Sequence, residues 1–121
     1  RIILTHDASS IPANSICLTD EFRDRTLVVE NVSNYLELLK KLYNDKKIGT
    51  ILLEAGGCLV REFLKAGLVD EWVGFYAPII IGGGADGVAP GPFLEHEAFL
   101  EQPVVNAFGD DVCIRGDICY R

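Results

Sequence analysis

The sequence predicts an α/β fold: a mixed, mostly parallel sheet flanked by helices and finished by an antiparallel hairpin. Three observations predict it. Short β-branched runs alternate with two helical stretches that carry apolar stripes. The links between residues 50 and 77 are short enough for one strand–helix–strand unit, whose strands should be parallel and joined right-handed. Two last apolar runs are parted only by Gly109-Asp110-Asp111, the spacing of a hairpin.

The elements follow in order. Arg1-Ile2-Ile3-Leu4 is a short buried-strand candidate, and Thr26-Leu27-Val28-Val29 is a second. Between them, residues 7–24 carry Ser9, Ser10, Pro12 and Ser15 and read as a loop, with a minor strand around 15–18. Asn34 offers an N-cap and Glu37 the third position of a capping box. Leu36, Leu39 and Leu42, with Tyr35, Leu38 and Tyr43, then give a helical stripe to about Asn44. Gly49 opens a third strand over 50–54, and a helix over 58–66 follows Gly56-Gly57. Leu59, Val60, Phe63 and Leu64 form its apolar face, and Gly67 sits where a left-handed terminating residue belongs. A fourth strand over 71–77 ends at Pro78. Ile79-Ile80-Ile81 continue extended into Gly82-Gly83-Gly84, and the stretch to Pro92 reads as one long loop. Residues 93–100 fit neither period, and 104–108 with 112–120 form the hairpin.

A chain of 121 residues fits one domain or part of a larger one. It opens on a strand and contains no Met, as expected of a fragment. With 18 acidic against 11 basic side chains the net charge is −7. That disfavours nucleic acid and anionic membranes as main partners, since both are held by Lys and Arg. A small anionic ligand remains open, because backbone amides bind phosphate without net positive charge. No apolar run approaches the ~20 residues of a membrane span. Cys17, Cys58, Cys113 and Cys119 form no C-x-x-C pair, and neither His6 nor His96 stands at metal-ligand spacing from them. No metal site is expected, and the thiols are expected to be reduced, in the cytoplasm or another reducing compartment.

Chemistry concentrates in Leu53-Glu54-Ala55-Gly56-Gly57-Cys58-Leu59. Glu54 ends an apolar run, so its carboxylate is expected in the crevice beyond a strand's carboxyl end, where α/β sheets bind ligands. Burying it without a partner would be costly. Gly56 and Gly57 allow close backbone approach and unusual dihedrals. The amides of Gly57, Cys58, Leu59 and Val60 form a helix N-terminus suited to pyrophosphate. A tight strand–helix turn accounts for Gly56-Gly57 equally well.

Three segments together resemble a known family. Glu54-Ala55-Gly56-Gly57 is followed by Phe63-Leu64-Lys65-Ala66-Gly67-Leu68-Val69-Asp70-Glu71, and then by Ala77-Pro78-Ile79-Ile80-Ile81-Gly82-Gly83-Gly84. This is similar to the reductase domain of the riboflavin-biosynthesis deaminase–reductases, over nearly the whole chain. The resemblance implies a dihydrofolate-reductase-like three-layer fold, of which residues 1–121 would be the C-terminal portion. It implies reduction of 5-amino-6-(5-phosphoribosylamino)uracil, a phosphorylated pyrimidine, to its ribitylamino form with NADPH. By the same likeness Glu54 contacts substrate, and Gly56, Gly57, Cys58, Leu59, Val60 and Arg61 line the cofactor phosphates. Thr5 and His6 match a strand end where relatives set small polar residues, often Asp-Ser or Ser-Ser, against the adenosine phosphate side. His6 departs from that pattern, although an imidazole can bind a phosphate. No catalytic residue is assigned.

The motifs of a zinc deaminase, H-x-E and P-C-x-x-C, do not occur in these residues. A dihydrofolate or other pterin or pyrimidine reductase is the alternative within the enzyme class, and a non-catalytic half-domain for assembly is the alternative outside it. Gly82-Gly83-Gly84 is read as a connection and Arg115-Gly116-Asp117 as part of a strand. Val104, Val105, Val112, Ile114 and Ile118 on terminal strands, together with the resemblance, imply a homodimer.

Overall fold

The computed structural model describes residues 1–80, 88–91 and 94–121, which form two compact units, Arg1–Gly49 and Thr50–Arg121. In the first unit β1 (Ile2–Thr5) and β2 (Leu27–Glu30) run parallel, with Ile2 beside Leu27 and Thr5 beside Glu30. Their apolar runs stop together, so Thr5 and Glu30 share one carboxyl edge.

The connection between them is a turn at Ala8–Ser10, a one-turn helix α1 (Ile16–Thr19) and a second turn at Arg23–Arg25. The minor strand expected around 15–18 is therefore helical. The Leu18 amide donates to the Ser15 carbonyl at 2.9 Å, and the Thr19 hydroxyl donates to the same oxygen at 3.0 Å. These local bonds satisfy the backbone with no sheet neighbour. The Arg1 guanidinium forks onto both carboxylate oxygens of Asp20, each at 2.7 Å, and ties this connection to the start of β1. The same pair holds the Asp20 carboxyl below the ordinary carboxylate range.

Helix α2 (Tyr35–Lys46) starts as expected, with the Asn34 side chain accepting from the Glu37 amide at 3.1 Å. It runs past Asn44 and stops at Lys47, whose φ of 57° is left-handed; the Lys47 amide donates to the Tyr43 carbonyl at 2.9 Å and the Ile48 amide to the Leu42 carbonyl at 3.3 Å. Leu42 on its apolar stripe is buried.

In the second unit α3 (Gly57–Lys65) packs with Phe63 and Leu64 buried. Gly67, at φ 65°, ends it as predicted. Its amide donates to the Leu64 carbonyl, and the Leu68 amide donates to the Phe63 carbonyl, the two bonds of a Schellman motif. Strands β3 (Glu71–Tyr76), β4 (Ala98–Phe108) and β5 (Asp111–Tyr120) follow, in the order β3-β5-β4 and antiparallel throughout. The Tyr120 hydroxyl reaches back to the α3–β3 link, accepting from the Val69 amide at 3.0 Å and donating to the Val69 carbonyl at 3.1 Å.

The α/β class holds, with a parallel pair, an antiparallel sheet and helices. One predicted strand does not form. Residues 50–54 carry no ladder, and Ile51 and Leu52 are exposed. The parallel pairing of 50–54 with 71–77 is therefore absent, and β3 pairs with β5 instead. β-propensity describes a side-chain surface, but a strand also needs a neighbour's free edge. Among the described residues β3 takes its one ladder from β5, and residues 50–54 make none.

The hairpin matches expectation at its tip and extends further at its base. Phe108 pairs with Asp111, and the positive φ falls on Gly109 (61°) and not on Asp110, the pattern of a type II′ turn. β4 begins six residues before the expected start and absorbs Gln102 and Pro103 as a bulge opposite Gly116, between the Glu101–Asp117 and Val104–Arg115 pairs. Pro103 has no amide to donate, which a bulge on an edge strand tolerates. The tripeptide Arg115-Gly116-Asp117 lies within β5, with the Arg115 guanidinium on the Glu71 carboxylate of β3. The four cysteines are free thiols. Ile81 and Gly82-Gly83-Gly84, with much of the long loop, lie outside the described residues.

Two outcomes follow from this packing. A Cβ on Gly116 would lie 3.1 Å from the Glu101 carbonyl oxygen and 3.4 Å from Pro103 Cα, both backbone atoms held by the bulge. Gly116→Ala should lower stability by about 1–3 kcal/mol in chemical denaturation of the intact protein. Because the folded-state value of Asp20 is depressed, its contribution is complete above the unfolded carboxylate range of roughly 4 and is lost as pH falls through the lower folded value. Asp20→Asn should therefore be less stable than wild type at neutral pH, and the gap should close as pH falls below the unfolded carboxylate range of roughly 4.

Candidate functional site

Two clusters hold the residues singled out by the sequence. The first surrounds the N-terminus of α3. Gly56 is the N-cap, at φ −66° and ψ 159°, an ordinary extended conformation open to any residue, so the unusual dihedral expected of it is not used. A Cβ built on Gly56 meets nothing within 4 Å. Neither backbone geometry nor packing among the described residues requires glycine there.

The helix N-terminus is also more economical than expected. The Leu59 and Val60 amides both donate to the Gly56 carbonyl, at 3.1 and 3.2 Å. That leaves the Gly57 and Cys58 amides as the outward donors among the described residues, since the N-cap Gly56 has no side chain to cap them. Cys58 is exposed. Glu54 is exposed as well, on a segment without secondary structure. The expectation of a carboxylate set at the end of a buried strand is corrected: no desolvation cost acts on it, because the strand that would have buried it does not form. Arg61 is largely buried, with its side chain 12% exposed. A Cβ on Gly91 would lie 2.9 Å from Arg61 Nε, so Arg61 packs beneath this glycine. One Arg61 nitrogen also lies 3.4 Å from the Glu62 carboxylate.

The second cluster is the carboxyl edge of β1 and β2. The Thr5 hydroxyl accepts from the Asp7 amide at 3.1 Å and donates to the Asp7 carbonyl at 3.0 Å, so it is committed to the turn that follows β1. His6 is exposed. Asp7 caps the next turn, accepting from the Ser9 hydroxyl at 2.6 Å and the Ser9 amide at 2.8 Å. Those bonds hold its carboxyl below the ordinary range, the hydroxyl contributing most. Glu30 ends β2 beside Thr5, and its carboxylate accepts from the Ala8 amide at 2.6 Å. Sequence reading missed Asp7 and Glu30. The signal lies in the register: two short parallel strands ending in phase put the residue after Val28-Val29 next to the one after Ile3-Leu4. Among the described residues no group of three or more His, Cys, Asp or Glu could hold a metal ion, and no helix is long and apolar enough to cross a membrane.

Residues 2–114 match the RibD C-terminal domain family. The chain belongs to that family. Its members are the reductase domains that the Glu-Ala-Gly-Gly and Ala-Gly-Leu-Val-Asp-Glu segments resemble. The riboflavin biosynthesis protein RibD of Escherichia coli K12 is 35% identical over 95 residues, which is 74% of this chain and 26% of that protein. Two forms of Acinetobacter baumannii RibD superpose with TM-scores of 0.81 and 0.80 at 23% identity, over 98% of this chain and 37% of theirs. The chain thus spans between about a quarter and just over a third of the RibD proteins it matches, and the structural likeness supports the RibD reductase fold.

The contrast between two glycines in this region is testable. Gly56→Ala loses some N-cap preference and gains by restricting the unfolded chain, so stability should stay within about 0.5 kcal/mol of wild type. Gly67→Ala places a Cβ at φ 65° and should cost about 1 kcal/mol. Melting curves of the two variants without ligand compare them directly.

Proposed function

We propose that residues 1–121 are the C-terminal portion of one pyrimidine reductase domain that converts 5-amino-6-(5-phosphoribosylamino)uracil to its ribitylamino form. The observation that carries this reading is the family match over residues 2–114, which includes the segment from Glu54 through α3. The resemblance implies NADPH, which supplies hydride when bound.

The chain's own residues support a dinucleotide at the start of α3. The Gly57 and Cys58 amides point out of an uncapped helix end and suit a pyrophosphate, a group NADPH and NADH share. Gly56 leaves clear the space a side chain would fill. Glu54, two residues before that cap, is an exposed acceptor for the hydroxyl and amino groups of the substrate. Thr5 and His6 are assigned to the adenosine end. The reading includes a homodimer: Phe75 and Phe108 meet edge to face at 5.8 Å yet remain 64% and 58% exposed, an apolar surface that a second copy would cover. It also places the protein in a reducing compartment such as the cytoplasm, consistent with four free thiols.

The test uses the intact protein. Gly56→Val is compatible with the backbone and fills the cleared space, so it should weaken binding of the reduced dinucleotide at least tenfold, roughly 1.4 kcal/mol, without lowering the melting temperature comparably. Glu54→Gln should keep dinucleotide affinity and lower turnover of the phosphoribosylamino-pyrimidine. Unchanged turnover would remove Glu54 from the site.

A further inference from the structure

We infer that Glu30 selects the dinucleotide at the carboxyl edge of β1 and β2, favouring NADH, with its free ribose 2′-hydroxyl, over NADPH. The inference rests on the proposed reductase reading, in which this edge takes the adenosine end.

The residues present do not fit a 2′-phosphate. That group is a multiply charged anion and is ordinarily held by Arg or Lys, whose donors match its oxygens. The stretches that build this edge, residues 5–10 and 30–37, contain Asp7, Glu30 and Glu37 and no Arg or Lys. His6 alone among them can carry positive charge. The next cation along α2, Lys40, is paired with Glu37 at 2.8 Å. Asp7 is kept ionised by its bonds to Ser9. Glu30 is fixed in place from two sides: its backbone pairs in register with Thr5, and its carboxylate is anchored to the Ala8 amide across the exit from β1.

A ribose diol suits the same groups. A carboxylate has lone pairs beyond the one that Ala8 engages, and it can accept from the 2′-hydroxyl. In dinucleotide folds generally an acidic residue after the second strand plays this part, and an Arg takes its place where the 2′-phosphate is bound. The register of β1 and β2 brings Glu30 to the corresponding strand end by a different connection.

Fluorescence titration of the intact protein with NADH and with NADPH tests the inference without reference to activity. NADH should bind at least tenfold tighter. Glu30→Gln keeps an acceptor for Ala8 and removes the charge; it should tighten NADPH binding at least fivefold and bring the two affinities together. If that variant does not fold, the wild-type ratio still decides. NADPH binding as tight as or tighter than NADH in the wild type overturns the inference and leaves the reductase reading standing. An NADH preference that survives unchanged in Glu30→Gln overturns the assignment to Glu30. Binding of neither nucleotide overturns both the inference and the reading beneath it.

Discussion

Strand β5 is the constraint on which the second unit depends. Its backbone groups serve two ladders at once, to β3 from Val112 to Asp117 and to β4 from Asp111 to Tyr120. Buried or not, a strand between two neighbours has its donors and acceptors matched on both sides, so its register fixes theirs. Cys113, a buried position of this sheet, lies on β5 between Phe75 and Asn106. At the far end of the same strand the Tyr120 hydroxyl makes two bonds to Val69, which sets where the chain leaves α3 and enters β3. The position of the α3 helix relative to the sheet is thus governed by residues some fifty positions later in the chain.

That dependence explains which elements were legible in the sequence. Helices α2 and α3 announce themselves because their determinants are local: Asn34 three residues before Glu37, leucines at helical spacing, Gly67 where a left-handed turn is needed. The hairpin tip is equally local, since two residues with the positive φ on glycine specify it. Residues 50–54 fail for the opposite reason. Their continuous apolar run meets the local criterion for a buried strand, but a ladder is a property of two chains of backbone. α1 failed in the other direction, since Ser15 and Thr19 could close a helical turn among themselves with bonds that no strand pattern encodes.

The candidate site divides along the same line. The amides at the start of α3 were readable because a helix end exposes donors wherever it occurs, and the correction there is one of number, with Leu59 and Val60 already satisfied by the Gly56 carbonyl. Glu54 was assigned an environment through a strand that does not form, so its exposure could not be foreseen. Glu30 was legible only after the register of β1 against β2 was known, because nothing in the Val28-Val29-Glu30 sequence distinguishes it from any other acidic residue at a strand end. Charge at a binding edge is a sum over segments distant in sequence, and that sum is visible only once the segments are side by side.

The bulge at Gln102-Pro103 has a consequence for the chain before it is fully assembled. β4 is an eleven-residue strand on the outer margin of its sheet and carries Val104, Val105 and Phe108 in exposed positions. A straight margin of that length and composition is a template on which a nascent or partly unfolded copy could stack indefinitely. The two inserted residues, one left-handed at φ 43° and one unable to donate, cut the margin into two short pieces whose outward donors do not continue in line. The kink is therefore protective during synthesis and refolding. It limits open-ended fibrillar growth along this margin.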